Sequence, residues 1–151
     1  ALNSRDSAKQ VEKSIKSQTD SMLRVPRELP ALMRAQKVQH KAAKVGFDWD
    51  DVSGAVDKLY EEINELKTAV SDNVKSEIED EFGDVLFSCV NIARFLDVDS
   101  EEALTGATDK FVSRFSTVEQ LARERGIDMN SADIDELDKL WDEAKKIKKA
   151  E

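Results

Sequence analysis

Two acidic pairs in this chain have a spacing that could bind a cation. In YEEINEL, residues 60–66, Glu62 and Glu65 are three residues apart, and in EFGD, residues 81–84, so are Glu81 and Asp84. An i, i+3 pair puts both carboxylates on one helix face. Four carboxylates gathered out of water cannot all stay ionised unaided, because like charges raise proton affinity. A hard divalent cation removes that conflict. Mg²⁺ takes oxygen ligands, keeps several waters, and commonly works with one or two carboxylates together with substrate phosphates. The pairs therefore point to Mg²⁺ and to a phosphorylated substrate. The competing reading is solvated helix faces, since 32 acids in 151 residues produce such pairs often. A di-iron centre in a helix bundle would want an ExxH motif from each of two helices. The single His40 has Lys37 three residues before it, so that version fails.

The elements that must carry these acids read as helices. Val56, Leu59, Ile63, Leu66 and Val70 recur at spacings of three and four, a stripe on a helix that Asp50 or Ser53 can cap. SDN at 71–73 reads as a turn, and the next helix runs from about Val74 to Leu96. So short a turn implies antiparallel neighbours, which lets the two acidic pairs meet. On this helix Ile78, Phe82, Val85, Cys89, Ala93 and Leu96 share one direction, and Leu86, Phe87, Val90 and Phe95 widen the apolar arc. The expectation is a helix buried on most sides from Val85 onward. Glu77, Glu81, Asp84, Ser88 and Asn91 fall in one sector roughly 80° wide, a polar seam along it.

Other helices flank this pair. Pro30 opens one, with Leu32, Met33, Val38, Ala42 and Val45 inward and Gly46 as its stop. Asp99 with Glu102 resembles a capping box, opening a helix that runs to Arg125 and ends at Gly126. Ser131 or Asp133 opens the last, with Ile134, Leu137, Trp141, Ala144 and Lys148 in register. Residues 1–26 are polar, a tail, an interdomain linker or a weakly held helix. The reading is an all-α bundle of about five helices with a four-helix core, residues 27–151 forming the domain.

Composition narrows the function classes. With 36 % charged residues, few glycines and no strand-like runs, an all-helical domain is favoured. A net charge of −9 disfavours binding to a nucleic-acid polymer. No apolar run is long enough to span a membrane, and a cytoplasmic protein is the plain reading, although the chain begins with Ala rather than Met. The one cysteine, Cys89, reads as a small hydrophobe and His40 as a surface residue. Lys110 and Arg114 are i, i+4 beside Phe111 and Phe115, and Trp141 and Lys145 are i, i+4 on the last helix. Such cations could meet phosphate oxygens, Arg as a fork and Lys as a point charge. Surface ion pairs and a core tryptophan are the plainer alternatives.

YEEINEL at 60–66 followed by EFGDVLFSCVNIARFL at 81–96 resembles the EExxE…ExxD signature of the all-α nucleoside triphosphate pyrophosphohydrolases, and of MazG in particular. VPRELPALMRAQKVQHKAAKVGFDW at 25–49, DKFVSRF at 109–115 and LDKLWDEAKK at 137–146 extend the resemblance. It implies that Glu62, Glu65, Glu81 and Asp84 bind Mg²⁺ and that Glu61 is the first acid of the motif. It implies that Lys110 and Arg114 handle phosphates, and that Trp141 and Lys145 lie near the nucleotide. Asn91, on the seam, joins them as a substrate contact. The implied reaction cleaves a nucleoside triphosphate to monophosphate and pyrophosphate, house-cleaning the nucleotide pool, in a homodimer or larger assembly. One carboxylate or a water on the metal would supply the nucleophile. The alternatives are a helical interaction module with little turnover and a narrow dUTP- or dCTP-type pyrophosphatase.

Overall fold

The computed structural model describes residues 17–150, with side chains to residue 147. These residues form six α-helices and no strand: α1 Gln18–Leu23, α2 Ala31–Ala43, α3 Val52–Asp72, α4 Lys75–Phe95, α5 Ser100–Glu124 and α6 Ile134–Ala150. The chain divides into two compact units, residues 1–101 and 102–151. Helix α1 turns part of the polar N-terminal stretch into structure, with the Ser17 hydroxyl capping the Asp20 N–H. The rest of that stretch, residues 1–16, lies outside the described residues.

In the first unit α3 packs along α4, α2 packs on α4, and α1 packs on α2. The boundaries follow local chemistry. Pro30 precedes the first turn of α2, and Gly46 follows the helix at φ +83°. Asp51, rather than its neighbours Asp50 or Ser53, caps α3 by accepting the Ser53 N–H at 2.8 Å. Asn73 at φ 55° ends α3 in the left-handed conformation that its short polar side chain tolerates. Only Asn73 and Val74 separate α3 from α4, so the two run antiparallel and their acidic faces can meet.

Two groups of expectations need correction. Helix α4 is not covered on most sides: Phe82, Leu86, Phe87 and Leu96 are exposed, as is Cys89. An apolar arc that wide needs neighbours on several sides, and within its unit α4 packs mainly on α3 and α2. Val45, Val70 and Ile134, placed inward by periodicity, are exposed as well, each at or near a helix end. The buried positions of the first unit are instead small or polar: Val25, Ala55, Ala69 and Val90, with Gln39, Glu62, Ser88 and Ser100. Gln36 ties the start of α5 to α2, its Oε1 accepting from the Ser100 N–H at 3.0 Å and from the Ser100 hydroxyl.

The second unit has an ordinary apolar core. Val118, Leu121, Ala122, Leu140 and Ala144 pack together, with Ile127, Met129, Leu137 and Trp141 against them. Gly126 at φ +64° follows α5, and Asp133 caps α6 through the Glu136 N–H at 2.8 Å. Arg125 and Glu143 form a two-pronged ion pair on its surface.

Candidate active site

Because α3 and α4 are antiparallel, the carboxylates meet. Glu62, Glu81 and Asp84 each offer an oxygen within 4.8 Å of the others. Glu62 is 6 % exposed, whereas Asp84 opens to solvent. One oxygen of Glu62 and one of Glu81, the Oε2 atoms, are buried with no hydrogen-bond donor. Buried acceptors without a donor are costly and rare. Glu65 stands outside this trio, exposed and against Glu81. Glu61 is exposed and faces away from it, as its position on the wheel implies.

The electrostatics fit a crowded anionic site. Burial, then the carboxylates of Glu65, Asp84 and Glu62, hold the Glu81 carboxyl above its ordinary value. Burial likewise raises Asp84, with Glu62 and Asp80 adding to it and Lys58 opposing. The donor set is all hard carboxylate oxygen, and two of those oxygens lack any protein partner. That is the chemistry a small divalent cation takes.

Sequence reasoning missed Lys58. Its ammonium sits 3.0 Å from Glu62 and 3.3 Å from Glu61, and both carboxylates raise its pKa. The signal was available in KLYEE, which places a lysine three and four residues before two acids on one helix. A second missed network lies farther along α4. Arg94 clamps Asp48 with two N–H groups and donates to Asn91 Oδ1 at 3.0 Å and 2.9 Å. The Arg94 guanidinium holds the Asp48 carboxyl below its ordinary value. Asn91 is thus half-buried and placed by Arg94.

In the second unit the expected cations and tryptophan group in part. The Arg114 guanidinium lies 6.0 Å from the Trp141 ring centre, and Phe111 packs against Trp141 at 5.2 Å between centroids. Lys110 and Lys145 are exposed on α5 and α6.

Among the described residues the fold is all-α, and its helix pair carries a carboxylate trio that could hold a cation. Residues 50–119 match the MazG nucleotide pyrophosphohydrolase domain. The chain is 43 % identical over 139 residues to a nucleoside triphosphate pyrophosphohydrolase of Escherichia coli K12, covering 89 % of this chain and 52 % of that protein. It is 47 % identical over 117 residues to the nucleoside triphosphate pyrophosphohydrolase/pyrophosphatase MazG of Thermotoga maritima, covering 78 % of this chain and 45 % of that protein. It is 44 % identical over 142 residues to the uncharacterized protein YabN of Bacillus subtilis, covering 92 % of this chain and 29 % of that protein. The chain thus carries a MazG-type domain, with relatives of that name or activity at 43–47 % identity over most of its length. It spans about half the length of the first relatives it matches.

Proposed function

We propose that residues 27–151, with α1 and Val25 packed against them, form the catalytic domain of a Mg²⁺-dependent nucleoside triphosphate pyrophosphohydrolase that house-cleans nucleotide pools. The observation that carries this reading is the carboxylate trio Glu62, Glu81 and Asp84, inside the family segment, with two buried oxygens lacking donors. These three residues, joined by Glu65, would hold the cation. When bound, Mg²⁺ neutralises the acids and polarises phosphate oxygens.

The protein's own groups do the rest. Lys58 fixes Glu62 and Glu61 and offsets part of the negative charge. One carboxylate of the site would accept the proton of the attacking water, and Glu61, the first acid of the motif, is paired with Lys58 beside Glu62. On the likeness of their segments alone, Lys110 and Arg114 are assigned to phosphate oxygens, and Asn91, Trp141 and Lys145 to the nucleotide. Such a reaction is mostly positioning and electrostatics. The exposed Phe82, Leu86 and Phe87 on α4 support a homodimer, and a further helix over that flank would complete a four-helix core.

The test is pyrophosphate release from each NTP and dNTP with Mg²⁺. We expect turnover that EDTA abolishes and that Glu62→Ala reduces at least about a hundredfold. Turnover unchanged by either treatment would refute the metal assignment.

A further inference from the structure

On the other face of α2 from the acidic helix pair's Gln39 contact, a cleft of about 930 Å³ lies in the first unit among α1, α2 and the 96–99 connector after α4. Five permanent cations line it, Arg24, Lys37, Lys41, Lys44 and Arg94, with His40 beside them. We propose that this cleft is a second anion site, which takes a free condensed phosphate of pyrophosphate size and passes its occupancy to the catalytic face through Arg94. The ligand class rests on the proposed reaction, which releases such an anion.

The charge of the cleft runs against that of the chain. The net charge is −9, yet here five cations face two carboxylates, Asp97 and Asp99. Among the described residues the ion pairs engage Lys58, Arg94 and Arg125, and none engages Arg24, Lys37, Lys41 or Lys44. Lys37 and Lys41 are i, i+4 on α2, a like-charge spacing that destabilises a helix. An anion between them would relieve that repulsion.

Packing fixes part of this row. Helix α1 packs on α2, and half-buried Lys41 donates to the Ser21 carbonyl at 2.7 Å and to the Ser21 hydroxyl at 3.0 Å. An ammonium has three N–H groups, so one remains for a ligand. Lys37, Lys41 and Lys44 follow at i, i+4 and i+7 along one face, a row about 10 Å long. Such a row meets several anionic oxygens at once, which a condensed phosphate supplies and a singly charged anion does not. Lysine meets phosphate as a point charge and Arg94 as a fork. The volume is that of a small-molecule site. No phenylalanine, tyrosine or tryptophan lines the cleft, so a nucleobase finds no ring to stack on.

Arg94 connects this cleft to the catalytic face. It lines this cleft and also the smaller one among α2, the 46–49 connector and α4. Its guanidinium clamps Asp48 of that connector and holds Asn91 Oδ1. A phosphate in the cationic cleft competes with Asp48 for the fork and so loosens the connector and Asn91. The consequence is feedback, in which released pyrophosphate slows further turnover.

The test reads binding first. Pyrophosphate is titrated into the full chain by calorimetry with EDTA present, with orthophosphate as the single-phosphate control. Pyrophosphate should bind saturably, and the double variant Lys37→Gln/Lys44→Gln should weaken it at least about tenfold. Both lysines are exposed, so the variant keeps the fold, checked by an unchanged Tm. Lys110→Gln, in the second unit, should leave this binding as it is. Unchanged affinity in the double variant, loss in Lys110→Gln instead, or equal binding of orthophosphate would overturn the site. ATP displacing pyrophosphate better than tripolyphosphate does would mean a nucleotide site, and would overturn it too.

Turnover is read second, as monophosphate release from NTP at fixed free Mg²⁺. Added pyrophosphate should lower kcat in the wild type. In the double variant, whose basal rate is unchanged, it should only raise KM, as a product competing at the carboxylate site. The same loss of kcat in both proteins, or no loss in either, would overturn the Arg94 connection. Lysine-dependent binding in a chain that cleaves no NTP would sink the proposed activity and leave the anion site standing.

Discussion

The two units spend their interiors differently. The second buries Val118, Leu121, Ala122, Leu140 and Ala144 against one another, a core that stabilises by removing apolar surface from water. The first buries Gln39, Glu62 and Ser88 beside small residues and leaves Phe82, Leu86 and Phe87 outside. Its central helix pair holds charges that repel, and Glu81 and Asp84 are both raised in pKa, first by burial and then by those neighbours. The second unit also leaves apolar side chains outside, Phe111 and Val112 among them, but what it buries together is apolar. The other keeps an unfavourable cluster that a ligand can relieve.

That contrast can be broken by experiment. The largest effect is expected in the apolar core: Leu140→Ala should cost about 2–5 kcal/mol in denaturant unfolding while leaving Mg²⁺ binding intact. A loss below about 1 kcal/mol would mean that α5 and α6 do not share a tight core.

Next comes the cation. Mg²⁺ at ten times its dissociation constant should stabilise the protein by about 1.4 kcal/mol, read as a rise in Tm. The sign of its pH dependence follows from the raised carboxyls. Their folded pKa values exceed the ordinary 3.8 of Asp84 and 4.5 of Glu81, so the repulsive penalty is full above the folded values. It fades as pH falls through them, and protons then compete with the cation. The Mg²⁺-induced rise in Tm should therefore be larger at about pH 8 than at about pH 5. A rise that is the same at both would show that the acids do not bind the ion.

A smaller effect sharpens the comparison by its direction. Without metal, Asp84→Asn should stabilise the fold at neutral pH, by under about 1 kcal/mol because the side chain is exposed, read as a higher Tm. A truncation in the apolar core has the opposite sign. A lower Tm in Asp84→Asn would mean that the cluster is not strained. The smallest change is expected at the surface pair Arg125–Glu143, where Arg125→Ala should barely lower Tm and lose even that effect in high salt.

Much of the frame was legible from local signals. Gly46, Gly126 and the 71–73 turn marked helix ends because positive φ and short polar side chains are local requirements. The acidic pairs were legible because i, i+3 spacing fixes a helix face whatever surrounds it. Burial was less so. The wheel of α4 gave a wide apolar arc, yet an arc says which side is apolar and not what covers it, and Phe82 and Leu86 are open. The burial of Gln39 was invisible for the same reason: its amide bonds the Phe87 carbonyl, 48 residues away. The cap of α3 shifted by one residue from the nearest candidates, since Asp50, Asp51 and Ser53 are chemically close and only backbone geometry chooses among them.

By itself the sequence determined the five longer helices, their ends to within a few residues and the face on which each acid lies, because those depend on residues within a turn of one another. The tertiary structure decided which faces meet. Only the antiparallel packing of α3 on α4 brings Glu62 to Glu81 and Asp84. Only the seating of α2 on α4 leaves Gln39 with one amide group bonded and one open. Contact between residues far apart in the chain rests on packing, and no local pattern encodes it.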